Sequence, residues 1–323
     1  MTPSTETNTT RETHRNARIS GPRLGTSIAE FETAFPDEAA CKRHLFAVRY
    51  GHLTSCPWCG LKTSWWHDPK NATSACTRCR RRLSLKGQTV FHKTKLPLRT
   101  LFYAILLSAN LTATPPNIVL SRHLGLSNSA TLAFGRRLRA HLTALEASRK
   151  IGGKGRIVHA EVFYFKRIFS VNAKGKTRVP VLILSDGNAS TVSVLETTRP
   201  ARIFEVIRHR VIPGSQLTAS EPMLLQKLSY YRQRWFDILQ WTGRHGPEGD
   251  KCKSESSAFM MNAIKTIRKM YIRVSVEWLD QYLGEQVFRF NRRGPSIFLQ
   301  IIAEFPLLNV SILSSRTALV GER

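Results

Sequence analysis

Four cysteines constrain this chain more than any other feature. They form two Cys-x-x-Cys pairs, Cys56-Pro-Trp-Cys59 and Cys76-Thr-Arg-Cys79, separated by sixteen residues. Two such knuckles bring four thiolates to one tetrahedral point, and the spacing is that of a zinc ribbon. Four sulfur ligands fill the coordination of zinc and leave no position for a reactive water, so the expected role is structural. His67 and His92 lie nearby in sequence; with four cysteines available they are expected to be surface or packing residues. The two remaining cysteines, Cys41 and Cys252, are isolated. That pattern suits metal binding in a reducing compartment and not a disulfide scaffold. The expected location is therefore cytoplasmic, at the nucleoid.

Charge narrows the partners. Forty-nine Lys and Arg stand against 22 Asp and Glu, a formal charge of +27 in 323 residues. Such an excess attracts a polyanion, because each neutralised phosphate releases condensed counterions. Arg78, Arg80, Arg81 and Arg82 flank the second knuckle and are the first candidates for phosphate contact. No apolar run approaches the roughly 20 residues of a membrane helix. Residues 1–26, rich in Thr, Ser, Asn and Arg, read as a disordered basic tail, and 309–323 as a second tail.

Between the tails the periodicities predict three units. The first, 27–95, holds a helix at Pro36–Arg49, with Phe31, Phe35, Ala40, Leu45 and Val48 as its apolar residues, followed by the ribbon. The second, 96–147, is helical, with breaks at Pro115-Pro116 and Gly125. In it Leu120 and Leu124 share a face, Gly125 permits a turn, and Ser127 or Asn128 can cap the next helix, which is the texture of a helix-turn-helix. Phe134, Leu138 and Leu142 recur every four residues and should face inward. Arg136 and Arg139 should point elsewhere, towards DNA. The third unit, 156–308, opens with β-branched strands at Ile157–Phe165, Arg178–Ser185 and Thr191–Glu196, the last two joined by an Asp186-Gly187 turn. A helix at Pro200–Arg210, a strand at Gln216–Ser220 and a helix from Pro222 follow. Gly243–Ser254 reads as loose, and the rest as helical through Phe305, interrupted at Arg293-Gly294-Pro295. The fold class is α+β and multidomain: zinc ribbon, helix-turn-helix-like module, then a mixed α/β domain with C-terminal helices.

Several motifs, in order, resemble one family. They are Phe35-Pro-Asp-Glu38, the ribbon, Gly87-Gln-Thr-Val-Phe91, Thr94-Lys-Leu-Pro-Leu98 and Leu124-Gly-Leu-Ser127. Pro213-Gly-Ser215, Val274-Ser275, Tyr282-Leu283, Glu285 and Phe288-Arg-Phe-Asn-Arg-Arg293 continue the series. Together they resemble the bacterial insertion-sequence transposases that join a zinc ribbon to a ribonuclease-H-like catalytic domain. The resemblance covers about residues 28–293. It implies double-stranded DNA at transposon ends as partner, assembly into a homo-oligomer, and magnesium held by three carboxylates for strand cleavage and transfer. At the family's three acidic positions this chain carries Ala160, Ser220 and Ser257. Glu161 follows Ala160 but should face the other side of the strand, Glu221 lies past a strand end, Glu255 sits well round the helix from Ser257, and Asp186 is a turn residue. Two readings follow: a DNA-binding protein of transposase descent without catalysis, or an active transposase whose ligands come from elsewhere. A basic zinc-ribbon protein that binds RNA is a third.

Overall fold

The computed structural model of the protein describes residues 25–166, 178–220, 224, 239–241, 247–271, 274–292 and 296–305. The expected tail at 309–323, all but the end of that at 1–26, most of the helix from Pro222, and the break at 293–295 lie outside them.

Helix α1 (Ile28–Ala34) starts at a capping box, in which Ser27 accepts from the Glu30 N–H while the Glu30 carboxylate accepts from the Ser27 N–H. These bonds satisfy two amides that no helical carbonyl can reach. The helix expected at Pro36–Arg49 begins two residues later, at Glu38, and α1, which was not expected, precedes it and carries Phe31. Asp37 caps α2 (Glu38–Tyr50) through the Ala40 N–H at 2.7 Å. A three-stranded antiparallel sheet follows: β1 (Trp65–His67), β2 (Thr73–Cys76) and β3 (Arg82–Ser84).

Helix α3 (Leu98–Ala109) begins after Pro97, which has no side chain to cap it. Glu38 supplies the cap from α2: its carboxylate accepts from the Leu98 and Arg99 amides, both at 2.9 Å. A negative charge at a helix N-terminus adds about 0.3–1 kcal/mol to that satisfaction. The Phe35-Pro-Asp-Glu38 motif therefore starts two helices at once. Helix α4 (Asn117–Leu124) ends at Gly125, whose φ of 63° is open to glycine at no steric cost. Ser127 then caps α5 (Asn128–Ala147) at the Ala130 N–H, 3.2 Å away. Phe134, Leu138 and Leu142 are buried, as their spacing predicts.

Beyond the short β4 (Ile151–Gly152), the main sheet takes β5 (Ile157–Lys166), β6 (Arg178–Ser185) and β7 (Ser190–Val194) as an antiparallel meander. Helix α6 (Pro200–Arg210) and the short β8 (Val211–Ile212), which pairs with β4, lead to β9 (Ser215–Ala219) and then β10 (Leu239–Trp241), both parallel to β5 and on its other side. The order β10-β9-β5-β6-β7 is the ribonuclease-H-like arrangement that the resemblance implied. One face of the sheet packs Val158, Ala160, Leu182 and Leu184 on Ile203, Phe204 and Ile207 of α6. The other packs Phe165, Val181 and Ile183 on α7 (Pro247–Met270) and α8 (Val276–Asn291). Helix α7 begins inside the stretch expected to be loose. Its first residues are too polar to show a periodicity, although Cys252, Ser256, Phe259, Ala263 and Ile267 line a buried stripe.

Helix α8 is buried on two sides. Leu279, Leu283 and Val287 face the sheet, whereas Phe288 enters the core of the N-terminal helices. Glu285, fully buried, accepts from the Thr114 amide (2.6 Å) and hydroxyl (2.9 Å) and pairs with Arg289 at 2.9 Å. Arg289 also donates to the Ser108 and Leu111 carbonyls, both at 2.8 Å. The crossing with α5 is so close that a Cβ on Gly284 would stand 2.2 Å from Thr143 Oγ1. Helix α9 (Ile297–Ile302) then returns to the N-terminal core, where Phe298, Ile301 and Ile302 pack with Phe31, Leu45 and Phe102. Among the described residues no helix is long and apolar enough to cross a membrane.

His141 tests this closure. It is wholly buried, Nε2 lies 3.1 Å from the Ile301 carbonyl, and burial pushes its pKa down to about 4, with Arg292 adding repulsion against that bond. An unfolded histidine titrates near 6.5. Between those values the unfolded chain binds the extra proton, so stability is full above about pH 6.5 and falls as the pH drops towards 4, by about 3 kcal/mol. Melting temperatures between pH 7 and 4.5 should fall in the natural chain and fall less in His141→Gln. Equal slopes would contradict the assignment.

Candidate functional site

The four cysteines meet. Their sulfurs all lie within 4.8 Å of one another, and Cys56 Sγ is 3.7 Å from Cys79 Sγ. A tetrahedron with metal–sulfur bonds of about 2.3 Å has edges of about 3.8 Å, so the donor set fits a thiophilic metal such as zinc. Each knuckle turns back on itself: the Gly60 amide donates to the Cys56 carbonyl at 2.9 Å, and the Arg80 amide to the Cys76 carbonyl at 2.9 Å. Gly60 and Arg80 both take a positive φ, 68° and 59°. Burial works against the Cys76 thiolate, but bonds from the Thr63 hydroxyl and the Cys79 and Arg78 amides outweigh it and lower the pKa to about 6. These N–H groups aim at the sulfur as they do at a ligating thiolate. His67 is a packing residue, 5.0 Å from the Phe46 ring and bonded to Ser74 Oγ at 2.8 Å.

Arg78, Arg80, Arg81 and Arg82 are all exposed. The helical pair divides. Arg136 is exposed and its guanidinium lies 4.4 Å from the Trp278 ring centre. Arg139 corrects the expectation that it meets DNA: it is 5% exposed, stacks 4.3 Å above Tyr282 and lies 3.3 Å from the Tyr271 hydroxyl. The face of α5 on which it stands is covered by α8, which no periodicity within α5 can reveal. Arg137, not singled out by sequence, reaches the Val90 and His92 carbonyls at 2.7 and 2.6 Å and so fixes the Gly87–Phe91 segment.

The three positions aligned with the family's acids, Ala160, Ser220 and Ser257, do not converge. On adjacent parallel strands Ala160 is in register with Ala219, and both are buried on the α6 face. Ser220, one residue on, belongs to the opposite face, where its hydroxyl is 2.9 Å from His159 Nε2; His159 Nδ1 lies 3.1 Å from Thr218 Oγ1. A strand side chain changes face with every residue, so an alignment one residue out inverts the assignment. Ser257 is exposed, and its neighbour Ser256 points inward to bond Glu161 at 3.2 Å. Glu161 thus lies under α7, across the sheet from Ala160. Among the described residues only the cysteine set gathers three or more potential metal ligands; Glu221 lies outside them. The residues of this corner do not fit the paired magnesium ions that the resemblance implied, which need converging carboxylates. Cys41 and Cys252 are buried thiols of the two cores.

No family model matches the sequence, and no curated protein matches it. Solved structures similar to the chain include the catalytic core domain of BIV integrase, 6% identical over 43% of this chain and 86% of that one, with a TM-score of 0.30. The simian T-cell lymphotropic virus intasome in complex with PP2A regulatory subunit B56 gamma is 12% identical over 60% of this chain and 72% of that one, TM-score 0.32. The Mos1 strand transfer complex is 12% identical over 58% and 69%, TM-score 0.29. The ribonuclease-H-like class itself rests on the strand order and register.

Metal in the ribbon should be essential to it, because binding energy of such sites, on the order of 10 kcal/mol, is folding energy. Elemental analysis should find one thiophilic metal per chain, and Cys76→Ser should lose it along with the order of residues 52–91. Full occupancy in that variant would refute the site.

Proposed function

We propose that this chain is a DNA-binding protein of transposase descent, stabilised by one structural zinc, that occupies duplex DNA without cutting it. The observation that carries the proposal is the pair Ala160 and Ala219, side by side on the two central parallel strands. A nuclease of this fold needs carboxylates at that corner, since magnesium is a hard cation held by negative oxygens. Two methyl groups in an apolar core hold none. Glu161, on the other face, is engaged by Ser256 beneath α7.

DNA binding is supported by charge and its placement. Between His52 and Phe91 seven Lys and Arg stand against one acid, Asp68. That acid is already satisfied by the Lys70 and Asn71 amides at 2.9 and 3.0 Å. The exposed arginines of the second knuckle and Arg136 are the proposed phosphate contacts, and transposon ends are the proposed duplex. The motifs outside the acidic corner keep structural work in this chain: Glu38 caps α3 and Glu285 holds the α3–α4 connection.

Two measurements test the proposal. Duplex affinity should fall about a thousandfold between 50 and 200 mM salt if six phosphates are contacted, and replacing Arg78, Arg80, Arg81 and Arg82 together by Ala should reduce the salt slope by roughly three to four. In a strand-cleavage assay with magnesium or manganese the natural chain should give no product. Cleavage that disappears in Glu161→Gln would overturn the inactive reading, and salt-independent or absent DNA binding would overturn the partner.

A further inference from the structure

The outer face of the ribbon sheet carries a feature that phosphate contact does not use. Strand alternation sends His67, Ser74 and Leu83 inward as one cross-strand row, with His67 packed on Phe46 of α2. The next row, Trp66, Ala75 and Arg82, faces out. Trp66 is 51% exposed, so about half of a large indole is left to solvent. Ala75, the middle residue of the row, has no side chain to cover it. Arg82 stands on the far strand with its side chain 60% exposed, 3.6 Å from Asp68. Trp58, in the first knuckle, is exposed as well.

We infer that this row is a stacking platform for unpaired bases of single-stranded DNA, an inference that rests on the nucleic-acid reading above and adds a strand class to it. Duplex DNA presents base edges and phosphates, and neither engages an indole face. An unpaired base presents its π face, and stacking on an aromatic side chain contributes about 1–3 kcal/mol per base. Arg82 supplies the cation that tracks the backbone beside the stacked base, and Lys62, Arg78, Arg80 and Arg81, exposed on the same ribbon, carry the same sign of charge. The ribbon also exposes Trp58 and Leu61, but its exposed charge is cationic, with Asp68, its one acid between His52 and Phe91, buried. Charge complementarity selects the nucleic acid.

The test uses the full-length zinc-loaded chain, an oligothymidylate of about 15 nucleotides, the matching oligouridylate and a duplex of equal length. Tryptophan fluorescence should be quenched by oligothymidylate in the natural chain. Trp66→Ala should weaken oligothymidylate binding about 5- to 100-fold and leave duplex affinity within about twofold, and Trp66→Phe should restore part of the loss. Zinc content equal to that of the natural chain shows that each variant is folded. Unchanged oligothymidylate affinity in Trp66→Ala, or an equal loss for the duplex, would overturn the platform while leaving duplex binding in place. Tighter binding of oligouridylate would overturn the choice of DNA. Binding of none of the three would overturn this inference together with the reading on which it rests.

Discussion

A buried carboxylate organises this molecule. Glu285 has no solvent exposure; Arg289 pairs with it one helical turn away, and the Thr114 amide and hydroxyl bond the same oxygen. Taking one partner from such a pair costs about 3–5 kcal/mol, since the remaining charge stays out of water. The pair lies on α8, the helix that lies against the main sheet on one side and against α5 on the other. Gly284 lets those helices touch, Arg139 fills the space between Tyr271 and Tyr282, and Arg292 and Asn291 reach the buried Glu146 of α5 at 2.9 Å. The helical module and the sheet are thereby joined through one helix from late in the chain.

That arrangement gives structural work to motifs that resemble those of transposases. Glu38, Arg137, Glu285, Arg289 and Asn291 each hold two segments distant in sequence, so their value does not depend on catalysis. The positions on the central strands carry no such duty. Ala160 and Ala219 fill an apolar layer against α6, which an unpaired carboxylate there would disturb. On the other face His159 joins Thr218 and Ser220 in a hydrogen-bonded set.

What was legible in the sequence was local. The cysteine spacing defines its own geometry; Gly125 and Ser127 carry the turn and cap in their own chemistry; the β-branched runs of β5 to β7 mark strands buried on both faces. Legibility ended where a distant element decides. Arg139 looks like a surface arginine on α5 until Tyr271 and Tyr282, more than a hundred residues on, cover it. Ser220 and Ser257 adjoin Ala219 and Ser256, and on a strand or helix one residue is the difference between one face and another. The start of α7 at Pro247 was hidden because Lys, Glu and Ser dominate its first turns.

Under the proposed function, the ribonuclease-H-like sheet keeps its scaffold without a magnesium-binding corner. Manganese titration of the zinc-loaded chain, followed by electron paramagnetic resonance, tests it most directly, since manganese takes the same oxygen ligands as magnesium. The account expects the signal of free manganese throughout, with no site of submillimolar affinity. One tightly bound manganese per chain, lost in Glu161→Gln and retained in Cys76→Ser, would contradict it.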